Sequence, residues 1–464
     1  MRYRPLEFCN GKKASIKRVF TGISVDSRTV RPGDCFFAIE GERLDGHQFV
    51  WDAVANGAVC CVVQKDKQLD NIKETALLRV SDTTRALGKF AGHYRRKHDF
   101  KCVAITGSVG KTTTRRIVSY VLADKFRLTE APKNFNNQIG VPLTLLKANP
   151  DDEIIVAELG ANKPGEIEYL SLVVEPDIAL ITNAKPSHLR GLANLQTIIN
   201  EKAAIASHLR PNGVLFADAN CSKLLQACRT YNIEPVTFGT TAQSDINAAD
   251  IACSASASTF TIEGKQLFLP LPGFGNVENA VAAWAICQHL GVTIDEFARR
   301  LKTTLPISMR NELLEVGQLT ILNDCYNANP ASMQNALDTL TRLERKPGSR
   351  LVFICGAMAE LGGQSEKLHA ELGRQIARAE IDLLVAIGES SEIVTRSAIN
   401  SAEHILQVHI FADVDSACNE LHNFIQNADI ILVKGSREAR LESAVEKLKE
   451  LFLPAVTGKS QHGE

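Results

Sequence analysis

Cys102-Val103-Ala104-Ile105-Thr106-Gly107-Ser108-Val109-Gly110-Lys111-Thr112-Thr113-Thr114 decides how this chain is read. A mostly apolar run enters a loop bracketed by two glycines, meets Lys-Thr-Thr, and continues into a helical pattern from about Arg115 to Lys125. Strand, loop and helix in that order suit an anion. The glycines let backbone N–H groups face it without an intervening Cβ. The start of the helix adds unpaired N–H groups and the positive end of a dipole. Lys111 supplies a cation for the outer phosphates of a nucleotide, and Thr112 a hydroxyl for Mg²⁺. The full phosphate-loop spacing places another glycine at position 105, where Ile105 stands, so the loop is the shortened form Thr-Gly-x-x-Gly-Lys-Thr. The alternative is a tight strand-to-helix turn with a surface lysine. Gly458-Lys459-Ser460 has no helix after it and reads as chance.

Outward from this stretch, 464 residues are too many for one core, so two to four domains are expected. A net charge of −1 leaves no electrostatic footprint for nucleic acid or an anionic membrane. No apolar run approaches the length of a membrane span, and Met1-Arg2-Tyr3-Arg4-Pro5 opens no signal peptide. The cysteines are scattered without a C-x-x-C pair, several inside apolar runs, and read as reduced, buried thiols of a cytoplasmic protein. Nothing in the composition requires an assembly, and a monomer is expected.

The fold class expected is α/β in three domains, with boundaries at 1–99, 100–311 and 312–464. Residues 1–99 read as a small α/β unit with strands over Gly22 to Val30, Asp34 to Ile39 and 58–63, and a helix from Val50 to Ala58. From about 101 to 307, strand-like runs at 102–106, 153–158, 178–183 and 214–217 alternate with helical patterns, the signature of a parallel sheet built from crossover units. Residues 240–272 read as a few antiparallel strands. From Asn311 a Rossmann-like unit begins, with buried runs at 319–322, 351–355, 383–387 and 430–433, but no G-x-G-x-x-G follows its first strand.

Sites in such sheets sit beyond the carboxyl ends of the strands, and several polar features fall there. Asn134, Asn136 and Asn137 could read a peptide or sugar backbone, or merely cap the next helix. Glu158 ends an apolar strand and suits Mg²⁺, or a salt bridge. His188 lies in the loop after 178–183 and could bind metal, orient substrate, or be incidental. Glu201-Lys202 reads as a solvated charge pair. In the first unit, Asp26-Ser27-Arg28 and Asp45-Gly46-His47 suit a phosphate-bearing ligand or simple turns.

Together these segments resemble a Mur ligase, in the branch that adds D-alanyl-D-alanine. The resemblance runs from Asp26-Ser27-Arg28 to Val433-Lys434-Gly435-Ser436-Arg437. The shortened phosphate loop is common to the family. Asn134 to Pro142, Asp324 to Met333 and Gly356 to Gly362 are more particular to the branch, and the Asp-Asn-Pro-Arg signature of the branch adding the third residue is missing. The resemblance implies an ATP-dependent amide ligase joining D-alanyl-D-alanine to UDP-N-acetylmuramoyl-tripeptide through an acyl phosphate; the alternative is a relative adding a single amino acid. It implies ATP contacts at Thr106, Gly107, Ser108, Val109, Gly110, Lys111, Thr112, Thr113, Asn279 and Arg310, with Asp324 on the ribose. Thr112, Glu158, His188 and Lys202 would serve Mg²⁺, with Lys202 carbamylated and Lys111, Glu158, His188 and Lys202 at the chemistry. Ser27, Arg28, Asp45, Gly46 and His47 would recognise the UDP end, and Asn134, Asn136, Asn137, Asn327, Asn329 and Ser332 the peptide substrates. Gly275, Arg190 and Lys133 depart from the family pattern.

Overall fold

The computed structural model describes residues 19–69, 76–132, 134–254 and 256–453. Lys133 and Gly458-Lys459-Ser460 lie outside the described residues. Three parallel or mostly parallel sheets follow one another along the chain. In the first, strands Gly22–Ser24, Asp34–Phe37, Cys60–Gln64 and Ala76–Val80 pair in sequence order, all parallel. The expected strand from Gly22 to Val30 stops at Ser24. Asp26 accepts from the backbone N–H of Arg28 and closes a 3₁₀ turn over Ser27–Thr29, which takes the amides out of the sheet. The expected helix to Ala58 ends at Ala55, where Gly57, at φ +99°, turns the chain into the next strand.

The central sheet has seven parallel strands in the order Ile246–Asn247, Val236–Gly239, Val214–Asp218, Ile178–Ile181, Lys101–Thr106, Ile154–Glu158 and Leu128–Glu130. Its continuous apolar runs reflect burial on both faces. Cys102 and Ala104 enter one core while Val103 and Ile105 enter the other. The first core also takes Phe20, Leu87, Phe90 and Tyr94, so helix Thr83–Lys97 packs on the central unit as well as on its own sheet. Buried Arg95 ties that helix to the carbonyls of Val174 and Phe100 and to Asp177. The segment 240–272 forms, as expected, a three-stranded antiparallel sheet, Ala249–Cys253, Ser258–Ile262 and Lys265–Leu269, laid against helix Phe274–His289 in the second core.

The last sheet runs Glu312–Val316, Leu319–Asn323, Ile430–Lys434, Leu351–Gly356, Leu383–Ile387 and Gln407–Phe411; only the first pair is antiparallel. Its strands alternate between two cores in the same way, with Phe353 in one and Val352 in the other. Every described cysteine is free. Among the described residues no helix is long and apolar enough to cross a membrane.

Candidate active site

Helix Lys111–Leu122 starts four residues earlier than the periodicity suggests, directly on Gly110. Two glycines shape the loop before it. Gly107 has φ +144°, and a Cβ there would lie 1.9 Å from Thr182 Oγ1; Gly110 has φ +89°, and its Cβ would lie 2.0 Å from Asn279 Oδ1. No side chain fits at either position, so the backbone stays open to a ligand. The loop is braced from the neighbouring strand end. Asn183 accepts from Val109 N and donates to Val109 O, both at 3.0 Å, and Thr182 donates to the same carbonyl at 2.6 Å. Ser108 donates its hydroxyl to Lys185 O, and Thr106 its hydroxyl to Leu159 O. Thr106 and Ser108 therefore use their hydroxyls to build the turn.

Glu158 ends the adjacent strand and is buried. Its carboxylate accepts from Thr112 Oγ1 at 2.9 Å and Asn136 Nδ2 at 3.0 Å, with Arg115 Nε 3.4 Å behind it. Lys111, whose ammonium donates to the carbonyls of Gly107 and Ser108, completes the group. Burial pushes the Lys111 pKa down; Glu158 opposes this and Arg310 adds to it. Among the described residues no three His, Cys, Asp or Glu gather as a metal cage. One hydroxyl and one carboxylate beside a phosphate loop nevertheless fit Mg²⁺, which keeps waters and binds through few carboxylates plus substrate phosphates.

Of the three asparagines, Asn136 bonds Glu158, whereas Asn137 accepts from the amides of Ile139 and Gly140 at the head of helix Gly140–Lys147, the capping alternative. Asn134 is exposed on the rim of the cleft.

Lys202 is the main departure from a local reading of the sequence. Glu201 and Lys202 are both buried, on helix Leu195–Ala203. Glu201 accepts from the amides of Gly165 and Ile167 at the head of helix Glu166–Val174. The Lys202 side-chain amine makes no hydrogen bond or ion pair with the described residues. Burial, with Lys111 nearby, pulls its pKa down to about 7. A charged pair written side by side is thus split, one member capping a helix and the other an unpaired amine in the interior. His188, at φ +51°, places Nδ1 against the Glu360 carboxylate of the last unit.

That unit closes the other side. The Arg310 guanidinium lies over the Tyr326 ring, 4.2 Å from its centre. Asp324 accepts from Asn311 N and from buried Lys434, whose ammonium also reaches the Asn327 carbonyl at 3.0 Å. Asn329 and Ser332 form a reciprocal capping box at the start of helix Pro330–Leu340. A cleft of about 530 Å³ lies between the two units. It brings together the loop from Ser108 to Thr113, the three asparagines, Glu158, His188, Asn279, Arg310, Asp324, Asn327, Asn329 and Ser332. Of the residues expected at the site, Thr106, Gly107 and Lys202 do not line it. Gly275 also faces it, and a Cβ there would come within 3.0 Å of Asn335 Nδ2.

Ser27, Arg28, Asp45, Gly46 and His47 are not brought to this cleft. Arg28 folds onto Asp26 in a bidentate pair. His47 is buried, with Nδ1 on Asp45 and Nε2 accepting from Gln64 N, while Lys67 holds the other Asp45 oxygen. Gly46 leaves no room for a side chain, since its Cβ would lie 2.6 Å from Ile39 O. Asn183, Lys434 and Glu360 also line the cleft, although the sequence reading gave none of them a role. Asn183 and Lys434 stand at or just past the carboxyl ends of parallel strands and carry that signal; Glu360 lies in the Gly356–Gly362 stretch of the resemblance, but its contact with His188 comes from another unit and has no local signal.

Comparison with known proteins agrees with this arrangement. Models for the Mur ligase family catalytic domain, the Mur ligase middle domain and the Mur ligase glutamate ligase domain match residues 19–95, 105–287 and 309–437. The UDP-N-acetylmuramoyl-tripeptide–D-alanyl-D-alanine ligase of Bacillus subtilis is 34% identical over 93% of this chain and 94% of its own. The Escherichia coli protein of the same name is 32% identical over 96% and 97%. A crystal structure of MurF from Acinetobacter baumannii superposes with a TM-score of 0.85 at 30% identity, covering 94% of both chains. MurF from Thermotoga maritima, solved in complex with ADP, gives 0.81 at 25% identity over 92% of this chain and 97% of that one. A braced phosphate loop, a carboxylate at the next strand end and matches that run through all three units have one common source, and the chain belongs to the Mur ligase family.

Proposed function

We propose that the protein is an ATP-dependent amide ligase that joins D-alanyl-D-alanine to UDP-N-acetylmuramoyl-tripeptide, working as a cytoplasmic monomer in the synthesis of peptidoglycan precursors. One observation carries the reading. The phosphate loop, Glu158 and the polar residues of the last unit face a single cleft, so a nucleotide's terminal phosphate and a carboxylate substrate can meet there.

A carboxylate is a poor acyl donor at neutral pH. In the proposed reaction the tripeptide's terminal carboxylate oxygen attacks the γ-phosphorus and ADP departs, leaving an acyl phosphate. The dipeptide's neutral amine then attacks the acyl carbon, the C–O bond to phosphate breaks, and the nitrogen loses a proton. The protein's part is positioning and charge stabilisation. Lys111, now on the Gly107 carbonyl, would turn to the outer phosphates of the nucleotide. Thr112 and Glu158, with His188 nearby, would hold Mg²⁺, which neutralises charge on the phosphoryl oxygens. Asn279 and Arg310 would contact ATP and Asp324 its ribose. Asn134, Asn136, Asn137, Asn327, Asn329 and Ser332 would face the peptide substrates. Ser27, Arg28 and the Asp45–His47 loop, which lie outside the cleft lining, would take the UDP end. Lys202, buried and with a pKa near 7, has a neutral amine available for CO₂; its carbamate would turn a cation into a carboxylate-like group beside Lys111.

The test is product identification by mass spectrometry, with phosphate release measured against D-alanyl-D-alanine and single amino acids. Release with single amino acids, and none with the dipeptide, would remove the assignment.

A further inference from the structure

We propose that Glu360 is a positioning residue: it orients His188 across the boundary between the central and last units, so the His188 side of the cleft is complete only when the last unit is docked. The inference rests on the proposed metal role of His188. Two left-handed residues meet at this point, His188 at φ +51° and Glu360 at φ +61°. The Glu360 carboxylate contacts His188 Nδ1, and its backbone carbonyl accepts from Arg190 N at 2.7 Å. A carboxylate can only accept, so Nδ1 carries the proton and Nε2 keeps the ring's free lone pair, on a residue that lines the cleft. An anion on Nδ1 also makes Nε2 a better ligand.

The backbones are pressed together as well. Gly362, at φ +57°, lies under Arg190, and a Cβ on it would stand 3.2 Å from Arg190 Cα. Leu189, Leu192 and Ile198 bury themselves in the core of the last unit, among residues such as Met358 and Leu361. Ile198 and Lys202 are four apart on one helix and so share a face. The short stretch from His188 to Lys202 thus carries two candidate site residues of the central unit on a segment anchored in the last one.

The test uses the full chain and the variants Glu360→Ala and Glu360→Gln. Mn²⁺ binding in the presence of ADP is followed by electron paramagnetic resonance, and amide exchange over 189–203 by mass spectrometry. Glu360→Ala should weaken Mn²⁺ binding about tenfold, as loss of a ligand's supporting carboxylate does, raise the half-saturating Mg²⁺ concentration by a similar factor, and speed exchange over 189–203. The KM for the dipeptide should move less than about twofold. Glu360→Gln, which can still accept from Nδ1, should recover part of the loss and guards against a merely misfolded alanine variant. Unchanged Mn²⁺ affinity and exchange in both variants would overturn the proposal, as would a raised dipeptide KM with metal affinity intact. A wild-type protein whose nucleotide turnover ignores divalent cations would instead remove the metal reading of His188, and is told apart because it shows without any variant.

Discussion

The ammonium of Lys111 donates to the carbonyl of Gly107 at 2.6 Å, so the residue that should meet a triphosphate rests on the loop that would cradle it. Leaving this position exchanges hydrogen bonds to two neutral carbonyls, those of Gly107 and Ser108, for bonds in which donor and acceptor are both charged. Lys111→Ala should therefore lower ADP release by on the order of 10²–10³-fold, the usual loss for a group that stabilises developing charge. The melting temperature should hold or rise, because a buried charge is gone. Turnover near that of the wild type would take the nucleotide away from this loop.

Gly110 should be intolerant of the smallest side chain. Gly110→Ala drives a methyl to 2.0 Å from Asn279 Oδ1 at a backbone angle L-residues avoid, and the left-handed strain alone costs about 1–2 kcal/mol. ATP affinity should fall at least tenfold by calorimetry. The double variant Gly110→Ala, Asn279→Ala should recover part of this, since it removes the clash and leaves the strain. No recovery would mean that Asn279 itself carries the binding.

Much of this was legible along the chain because the signals are local. Apolar runs in the central and last units gave parallel strands, since both faces of each strand enter a core. The phosphate loop was legible because its glycines answer a backbone need that no other residue meets. What stayed hidden depends on distant partners. The burial of Lys202 is decided by the packing of its helix, and the Glu360 contact by the docking of two units. The strand expected to continue through Ser27–Thr29 stops because the Asp26 side chain takes the Arg28 amide and the Asp26 carbonyl takes the Thr29 amide. Asn329 and Ser332 show the converse: residues marked for substrate also do the ordinary work of a helix cap.

Lys434 should matter more when cut alone than when its pair is removed. It is 1% exposed and joins the Asp324 carboxylate to the carbonyls of Asp324 and Asn327. Lys434→Met leaves a mostly buried carboxylate without its cation, a change that costs about 3–5 kcal/mol. Lys434→Met combined with Asp324→Asn should lose less than the single variant. Urea denaturation measures both, and a single variant within about 1 kcal/mol of wild type would deny the pair a structural role.

Lys202 gives a stability signature with a fixed sign. Its folded-state pKa of about 7 lies below the ordinary 10.5, so the unfolded chain holds the proton more tightly. Folding therefore releases that proton between these values, and the cost is complete at about pH 7 and below, shrinks as pH rises toward 10.5, and disappears above it. Lys202→Met in CO₂-free buffer should raise the melting temperature most at pH 6–7 and hardly at pH 10. Adding bicarbonate should stabilise the wild type and leave the Met variant unmoved, because a carbamate removes the buried cation. The same chemistry predicts that Lys202→Ala is nearly inactive and regains activity with short carboxylic acids, which can occupy the vacated space and restore the anion. A Lys202→Ala enzyme that works at full rate, and responds to neither acid nor bicarbonate, would leave this amine as a structural oddity with no part in the reaction.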